Sequence, residues 1–182
     1  LLQVPITLIW QDSREQVWLG TRGYGLFKLS SLTDLVPIYA YEDSKTESLS
    51  GTTISSIGET PDGSLWIGTL DQGLYHFDPL TGDVKVYGHD AENSYSLSSD
   101  AVLSILVDPA GTVWVGTSGG LNRYNSLTDT FSHYREKEGL ANDLVYGILQ
   151  DDQGFLWLST NQGSSKFDPS NVTFDNYNRS DG

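Results

Sequence analysis

The chain has 182 residues, of which 37% are hydrophobic and 12% aromatic, and this composition excludes an intrinsically disordered chain. Its formal net charge of −14 at pH 7 argues against a nucleic-acid groove, because such a groove needs clustered Lys and Arg. No cysteine is present, which excludes disulfides and zinc–thiolate sites, and no apolar run approaches the roughly 18 residues of a membrane span. We therefore expect no nucleic-acid partner and no direct membrane insertion by this segment.

One pattern recurs four times along the chain, each time around a Trp. The copies read VWLGT from Val17, LWIGT from Leu65, VWVGT from Val113 and LWLST from Leu156. Other residue types keep a constant distance from the Trp. An Ile lies nine residues before each one, at Ile9, Ile57, Ile105 and Ile148. A register this constant over four copies indicates true structural repeats.

Each repeat predicts four short strands in chain order. The first strand, such as residues 102–107, is followed by a hairpin turn rich in Asp, Pro and Gly. The second strand carries the Trp, and a Gly-rich turn leads to the third, such as residues 73–77. A further turn precedes the fourth strand, and no segment shows a sustained helical period. The fourth strands are predicted to end at Tyr39, Tyr87, Tyr134 and Tyr177.

Four antiparallel strands in a unit of about 40–50 residues are typical of a β-propeller blade. The predicted fold class is therefore all-β, a β-propeller segment of four four-stranded antiparallel blades. The blades are expected at about 1–41, 49–88, 97–135 and 140–178. We interpret the chain, which contains no Met, as one segment of a larger polypeptide.

The titratable residues favour structural roles over catalysis. The carboxylate pairs Asp12/Glu15 and Asp151/Asp152 fall in turns of repeated type, and the three His residues are scattered over different repeats. The spacing from Asp152 to Trp157 resembles an Asp-box, but we interpret this Asp as a hairpin-turn residue. We therefore predict no catalytic residue, no metal site and no cofactor.

The loops that differ between repeats are the candidate ligand-binding positions. In a propeller, the loops joining second and third strands share one face with the links between blades. Aromatic, amide and Arg side chains on that face suit sugar recognition. The predicted ligand-binding residues are Arg22, Tyr24, Asp71, Gln72, Asn161 and Gln162. The links between blades add Tyr41, His89, Tyr95, Arg135 and Asn142 as further positions on this face.

The repeats resemble those of the two-component regulator propeller family. The stretch GLANDLVYGILQDDQGFLWLST carries the resemblance most clearly, and the departures are Glu15 for a turn Gly, Ser159 for Gly and Ser164 for Leu. The resemblance implies a non-enzymatic ligand-sensing module on the periplasmic or extracellular face of a bacterial inner-membrane receptor. It also implies oligosaccharide as a ligand class and a histidine kinase or diguanylate cyclase elsewhere in the parent chain.

Two other functions stay open at this stage, a protein–protein interaction scaffold and a propeller hydrolase or lyase. Four blades would also leave one apolar face open at each end, and soluble proteins rarely expose large apolar patches. We therefore expect a partial propeller, completed either by remaining blades or by a second copy of the chain. Closure of four blades on their own is the alternative that we rank last.

Overall fold

The four Trp-centred repeats form four separate antiparallel sheets in the computed structural model, which describes residues 4–29, 35–38 and 49–178. We call these sheets blades 1 to 4. Blade 1 contains β1 (Ile6–Gln11), β2 (Val17–Thr21), β3 (Leu26–Leu29) and β4 (Leu35–Ile38). Blade 2 contains β5 (Ile54–Glu59), β6 (Leu65–Thr69), β7 (Leu74–Phe77) and β8 (Val84–Tyr87). Blade 3 contains β9 (Val102–Val107), β10 (Val113–Thr117), β11 (Gly120–Asn125) and β12 (Thr130–Tyr134). Blade 4 contains β13 (Val145–Gln150), β14 (Leu156–Thr160), β15 (Gly163–Asp168) and β16 (Thr173–Tyr177).

Every blade is a simple meander in which each strand pairs with its neighbours in sequence. The first strands β1, β5, β9 and β13 lie side by side and bring successive blades into contact. Each first strand carries an irregularity near its start, where the pairing with the second strand shifts by one residue. The predicted all-β class of four four-stranded blades is therefore confirmed. The predicted strand end at Tyr39 lies outside the described residues.

The repeated Trp is the residue that packs one blade onto the next. Trp18, Trp66 and Trp114 are each about 1% exposed. Each belongs to a cluster made mostly of residues from the following blade. Trp114, for example, packs with Val145 and Leu158 of blade 4. Burying an indole of this size stabilises the fold by roughly 5 kcal/mol before conformational entropy is subtracted.

The Gly after the Trp lets the next blade approach closely. A Cβ on Gly68 would lie 2.5 Å from Cγ1 of Val102, and one on Gly116 would lie 2.8 Å from Cγ1 of Val145. Neither position accommodates a side chain without a shift of the facing strand. Blade 4 has Ser159 at this position, on the face that meets no following blade in the described part of the chain. Within the described residues, no strand of a following blade faces Ser159.

The two outermost faces of the arc are open. Ile9 of blade 1 is 72% exposed, whereas its equivalent Ile57, which packs onto blade 1, is 9% exposed. At the other end Leu149 is 66% exposed, and Trp157 is only half-buried. Among the described residues, the first strands of blades 4 and 1 do not pack against each other as the first strands of neighbouring blades do. The four blades therefore form an arc and not a closed ring.

An Asp in the first hairpin turn holds the Trp of the same blade. Oδ2 of Asp12, Asp108 and Asp151 accepts a hydrogen bond from the indole Nε1 of Trp18, Trp114 and Trp157, at 2.9, 3.3 and 2.9 Å. Oδ1 of the same Asp accepts two backbone N–H groups of the turn, those of Ala110 and Thr112 in blade 3. In blade 4 the Asp that bonds the Trp is Asp151. Asp152, whose spacing to Trp157 resembles an Asp-box, is the next residue of the same turn.

Blade 2 departs from this arrangement because Thr60 stands where the other blades have Asp. Asp62 takes over the turn, and its Oδ1 accepts from the Ser64 backbone N–H and from the Thr60 and Ser64 hydroxyls. Nε1 of Trp66 is buried and has no hydrogen-bond partner. Blade 1 departs differently, since Glu15 has φ of 62°, the left-handed conformation that Gly63, Gly111 and Gly154 supply elsewhere.

The Thr after the Trp–Gly pair closes the turn at the opposite end of each blade. Its Oγ1 donates to the carbonyl oxygen of a Gly that lies at the start of the next strand or one residue before it. In blades 2 and 4 the donor–acceptor distances are 2.8 and 2.9 Å. The Thr side chains of blades 1 to 3 are buried. The repeated motif is therefore an architectural element from end to end, with its Trp between blades and its Thr in a turn.

We expect D108A to lower the free energy of unfolding by about 2 kcal/mol, because the substitution leaves the Trp114 N–H and two turn N–H groups without their acceptor. Urea denaturation of the chain measures this loss. The matched control is D152A, which removes an exposed Asp that does not bond its Trp, and its stability should stay within about 0.5 kcal/mol of wild type. Equal losses in the two variants would contradict the assigned role.

Candidate ligand-binding surfaces

The six predicted ligand-binding residues all lie at one end of the blades, in the turns between second and third strands. We call this end the loop face, and the end with the Asp-containing turns the hairpin face. Arg22 and Tyr24 are exposed at the end of blade 1, and Asn161 and Gln162 are exposed at the end of blade 4. The backbone N–H of Arg22 donates to the Pro5 carbonyl oxygen at 2.9 Å, which anchors this turn to the start of blade 1.

Asp71 and Gln72 are the two candidates that the structure brings together in a cavity. This cavity, of about 710 Å³, lies over blade 2, and Arg22, Tyr24, Asn161 and Gln162 do not line it. Four other lining residues come from the links before and after the blade, and one comes from β8. They are Ser50, Gly88, His89 and Asp100 of the links and Val86 of the strand. The cavity therefore combines one turn of blade 2 with the two links that flank it.

The polar groups of the loop-face cavity are held in place by the links. Oδ1 of Asp100 accepts the backbone N–H of His89 at 2.6 Å, and Nδ1 of His89 lies 2.8 Å from the Leu97 carbonyl oxygen. Oε1 of Gln72 accepts the Tyr75 hydroxyl at 3.0 Å, so the amide NH₂ is the group that Gln72 presents to a ligand. The Asp100 carboxylate and this amide are thus positioned by the fold before any ligand arrives, while Asp71 is exposed beside them.

Asp100 is a lining residue that the sequence reasoning did not identify. It lies in the link two residues before β9, at a position where the equivalent residues are Val4, Thr52 and Asp143. The residue at this position differs between the four repeats. That difference could have identified Asp100, because the same criterion selected the turn residues. Among the other link positions, Tyr95 is exposed, and Tyr41 lies outside the described residues.

Arg135 and Asn142, also expected on the loop face, are engaged within the protein. Arg135 precedes a turn of 3₁₀ helix at Glu136–Glu138, and its Nε donates to the Gly119 carbonyl oxygen at 3.0 Å. Nδ2 of Asn142 donates to Oε1 of Glu136 at 2.9 Å. The Arg135 contact joins the link between blades 3 and 4 to a turn of the loop face, and the Asn142 contact lies within that link. Both side chains therefore have fewer hydrogen-bond donors available for a ligand.

The chemistry of the loop-face cavity suits a ligand with hydroxyl groups. Ionised carboxylates accept hydrogen bonds only, and an amide adds donors, so Asp71, Asp100 and Gln72 together match groups that both donate and accept. Within the part of the chain that the structure describes, no cluster of three or more His, Asp or Glu residues is placed to hold a metal ion. No helix of those residues is long and apolar enough to cross a membrane.

A second cavity, of about 700 Å³, opens on the hairpin face between blades 2 and 3. Blade 2 contributes Thr60, Asp62, Ser64, Trp66 and His76 to its lining, and the blade 3 residues include Arg123 and Tyr124. The His76 ring stacks on Trp66, with centroids 4.5 Å apart and planes inclined by 15°, and its Nε2 lies 2.8 Å from the Ser64 Oγ. Burial lowers the pKa of His76 below its usual 6.5.

The fold and these cavities define the chain as a segment of a β-propeller with repeated blades. Three stretches, residues 48–71, 96–119 and 139–162, match the family model described as two component regulator propeller. Each stretch runs from the link before a blade through its first two strands, in blades 2, 3 and 4 respectively. Three of the four repeats therefore each contain a stretch that matches the two component regulator propeller model.

Solved structures show the same fold. The extracellular domain of the hybrid two component system BT3049 from B. thetaiotaomicron is 22% identical with a TM-score of 0.84, covering 98% of this chain and 25% of that one. The BT4673 domain from the same organism is 20% identical with a TM-score of 0.51, over 97% of this chain and 29% of that one. Virginiamycin B lyase from Staphylococcus aureus is 11% identical with a TM-score of 0.71, over 98% and 57%.

The chain thus spans about a quarter of the length of the extracellular domain of BT3049. At these sequence identities the likeness shows a shared fold. The ligands of those proteins and the chemistry of the lyase are properties of those proteins alone. No curated protein sequence matches the chain.

We expect the stability of the chain to fall between about pH 4 and pH 2, in part through Asp62. The Ser64 backbone N–H, followed by the Thr60 and Ser64 hydroxyls, lowers the pKa of Asp62 from 3.8 to about 2. A carboxyl whose pKa is depressed in the folded state stabilises the fold above its unfolded pKa, and this contribution is lost as the pH falls through its folded pKa.

Urea denaturation at several pH values tests this expectation. D62N, which keeps an acceptor oxygen but cannot ionise, should show a smaller fall in the free energy of unfolding over the same pH window. T60V removes one of the three donors to Asp62 and should give an intermediate slope. A slope in D62N equal to that of wild type would contradict the assignment.

Proposed function

We propose that this chain is part of the ligand-sensing input module of a bacterial two-component-type receptor and performs no chemistry itself. The support comes from the family of its repeats and from a fold shared with extracellular domains of hybrid two component systems. On this proposal the segment lies on the periplasmic or extracellular side of the membrane. The output, a histidine kinase or diguanylate cyclase, belongs to other parts of the parent chain.

The proposed ligand is an oligosaccharide or a similar hydroxyl-rich molecule bound on the loop face. The observation that carries this step is the cavity over blade 2, in which Asp71, Gln72 and Asp100 present acceptors and donors side by side. Its volume of about 710 Å³ falls in the range typical of small-ligand sites. If the ligand is longer than the cavity, Arg22 and Tyr24 of blade 1, and Asn161 and Gln162 of blade 4, would extend the contact.

A panel of neutral oligosaccharides, screened by thermal shift and followed by calorimetric titration, tests this proposal. We expect D71A to weaken the oligosaccharide that stabilises the wild-type chain by about tenfold or more, because a charge-assisted hydrogen bond to a hydroxyl is lost. D152A, an exposed Asp on the hairpin face, is the matched control and should bind as wild type does. Binding unaffected by D71A, or no binding by any member of the panel, would count against this site.

A second candidate function, docking of another protein, is favoured by the open blade faces. Ile6 and Ile9 of blade 1 are 45% and 72% exposed, and the opposite end presents Leu149, Trp157 and Tyr177. These are the same faces that blades bury against each other within the arc. We therefore propose that the partner on each open face is another blade of the same type, supplied by the remaining propeller or by a second copy of this chain.

Sedimentation velocity over a range of concentrations tests whether a second copy can supply that blade. We expect the isolated chain to self-associate, and we expect L149K to weaken the association by at least about tenfold, since a lysine charge would be buried in the contact. L127K is the matched control, because Leu127 is 95% exposed on a turn away from both blade faces. A chain that stays monomeric at every concentration would exclude the second copy as partner.

A further inference from the structure

The open face of blade 4 differs from the three packed faces at two neighbouring positions. Where blades 1 to 3 have Gly after the Trp, blade 4 has Ser159, and where they have Leu near the start of the third strand, blade 4 has Ser164. The two serines lie directly opposite each other on β14 and β15. Both line a depression of about 310 Å³ on this face, and neither hydroxyl forms a hydrogen bond within the described residues.

In the packed faces, the missing side chain at the Gly position decides how closely the next blade can approach. A Cβ on each Gly would lie between 2.5 and 3.0 Å from the facing Ile or Val side chain of the next blade. These pairs are Gly20 with Ile54, Gly68 with Val102, and Gly116 with Val145. A Cβ on Gly116 would also lie 2.8 Å from the Val145 carbonyl oxygen, so a side chain there requires a shift of the backbone. In blade 1 the corresponding Ile is Ile6.

Blade 4 itself has room for the Ser159 side chain. In blades 2 and 3 the residue paired with the Gly is Ser56 or Ser104, whose Oγ lies in the space that a Cβ on the Gly would need. In blade 4 the two residue types are exchanged, with Gly147 opposite Ser159. A Cβ on Gly147 would lie 3.0 Å from the Ser159 Oγ. The exchange therefore removes the conflict within the blade, and a following blade is the element that still meets the Ser159 side chain.

The second difference replaces an apolar contact by a polar one. The Leu residues at the position of Ser164 are about 1% exposed or less, and each lies in a cluster with residues of the next blade. They are Leu26, Leu74 and Leu121. An Ile placed against Ser159 and Ser164 would bury two hydroxyls without partners, which is unfavourable. A small polar side chain in its place would relieve the steric conflict and offer these hydroxyls a hydrogen-bond partner.

We propose that the open face of blade 4 binds a further blade of the parent receptor, whose first strand has a small polar residue such as Ser at the position of Ile6. Ser159 and Ser164 determine this specificity. They disfavour a second copy of this chain, because its blade 1 would bring Ile6 against them, so the copies associate only weakly. The inference rests on the docking of blades proposed above and selects between its two partners. The chain spans 25% of the extracellular domain of BT3049, so a receptor of that length has chain enough for further blades.

Sedimentation velocity of matched variants measures the effect of the Ser159 side chain. We expect S159G to strengthen self-association by about tenfold or more, because Ile6 of a second copy then meets Gly as in the packed faces. S159A loses the hydroxyl but keeps the Cβ, so its gain should stay below about threefold. S170G changes an exposed Ser on a turn of the hairpin face and should associate as wild type does.

A substitution on the opposite face tests the partner residue. I6S gives a second copy the small polar residue that the proposal requires. We expect I6S to strengthen the association of the chain that has Ser159, since the steric conflict is removed. The same substitution should weaken the association of S159G, in which Ile6 makes an apolar contact. Opposite effects in the two backgrounds measure a direct coupling between positions 6 and 159.

Three results would overturn the inference. They are an S159G chain that associates no more strongly than wild type, equal association of S159G and S159A, and an I6S effect of the same direction in both backgrounds. If S159G fails to fold, G147S/S159G takes its place, because it restores the Ser–Gly pair of blade 3. Adding L149K to S159G identifies the face that is used. Association that L149K leaves unchanged would overturn the docking of blades as well, whereas association sensitive to L149K but not to S159G would overturn this inference alone.

Discussion

The structure depends on a single contact made repeatedly, in which the Trp face of one blade packs onto the first and second strands of the next. A blade of four strands has two apolar faces and too little interior to be stable alone, so neighbouring blades supply the core for each other. The Asp of the first turn orients the indole, and the Gly after the Trp removes the side chain that would keep the blades apart. Both cavities lie at the ends of the blades that this contact holds together.

The same contact explains how much could be predicted from the sequence. Constant spacing of the Trp and Ile columns predicted the strands and their order, because packing between blades imposes the same residue type in every copy. The hydrogen bond from Trp to the turn Asp was missed, since Asp152 fits an Asp-box spacing and Asp151 is the residue that bonds Trp157. Side-chain direction at a tight turn is set by backbone dihedrals that spacing alone does not report.

The candidate site was harder to predict than the fold. Loop residues are not constrained by a repeated contact, so the argument from variation selected six positions at one end, of which Asp71 and Gln72 share a cavity. Arg135 and Asn142 satisfied the same argument, yet Arg135 bonds Gly119 in the turn of blade 3 and Asn142 bonds Glu136 within the link. The hairpin-face cavity was not anticipated, because the argument from variation considered only the loops at the opposite end of the blades.

The polarity of the blade contact has a consequence for the size of such assemblies. The face that carries Trp always meets the face that carries Ile and Val, so the contact is heterologous and has no stopping point within a blade. A stack of this kind ends only when the accumulated rotation brings the last face back to the first. The angle between successive blades therefore decides how many units make a ring, and whole units can be gained or lost without redesign of any single one.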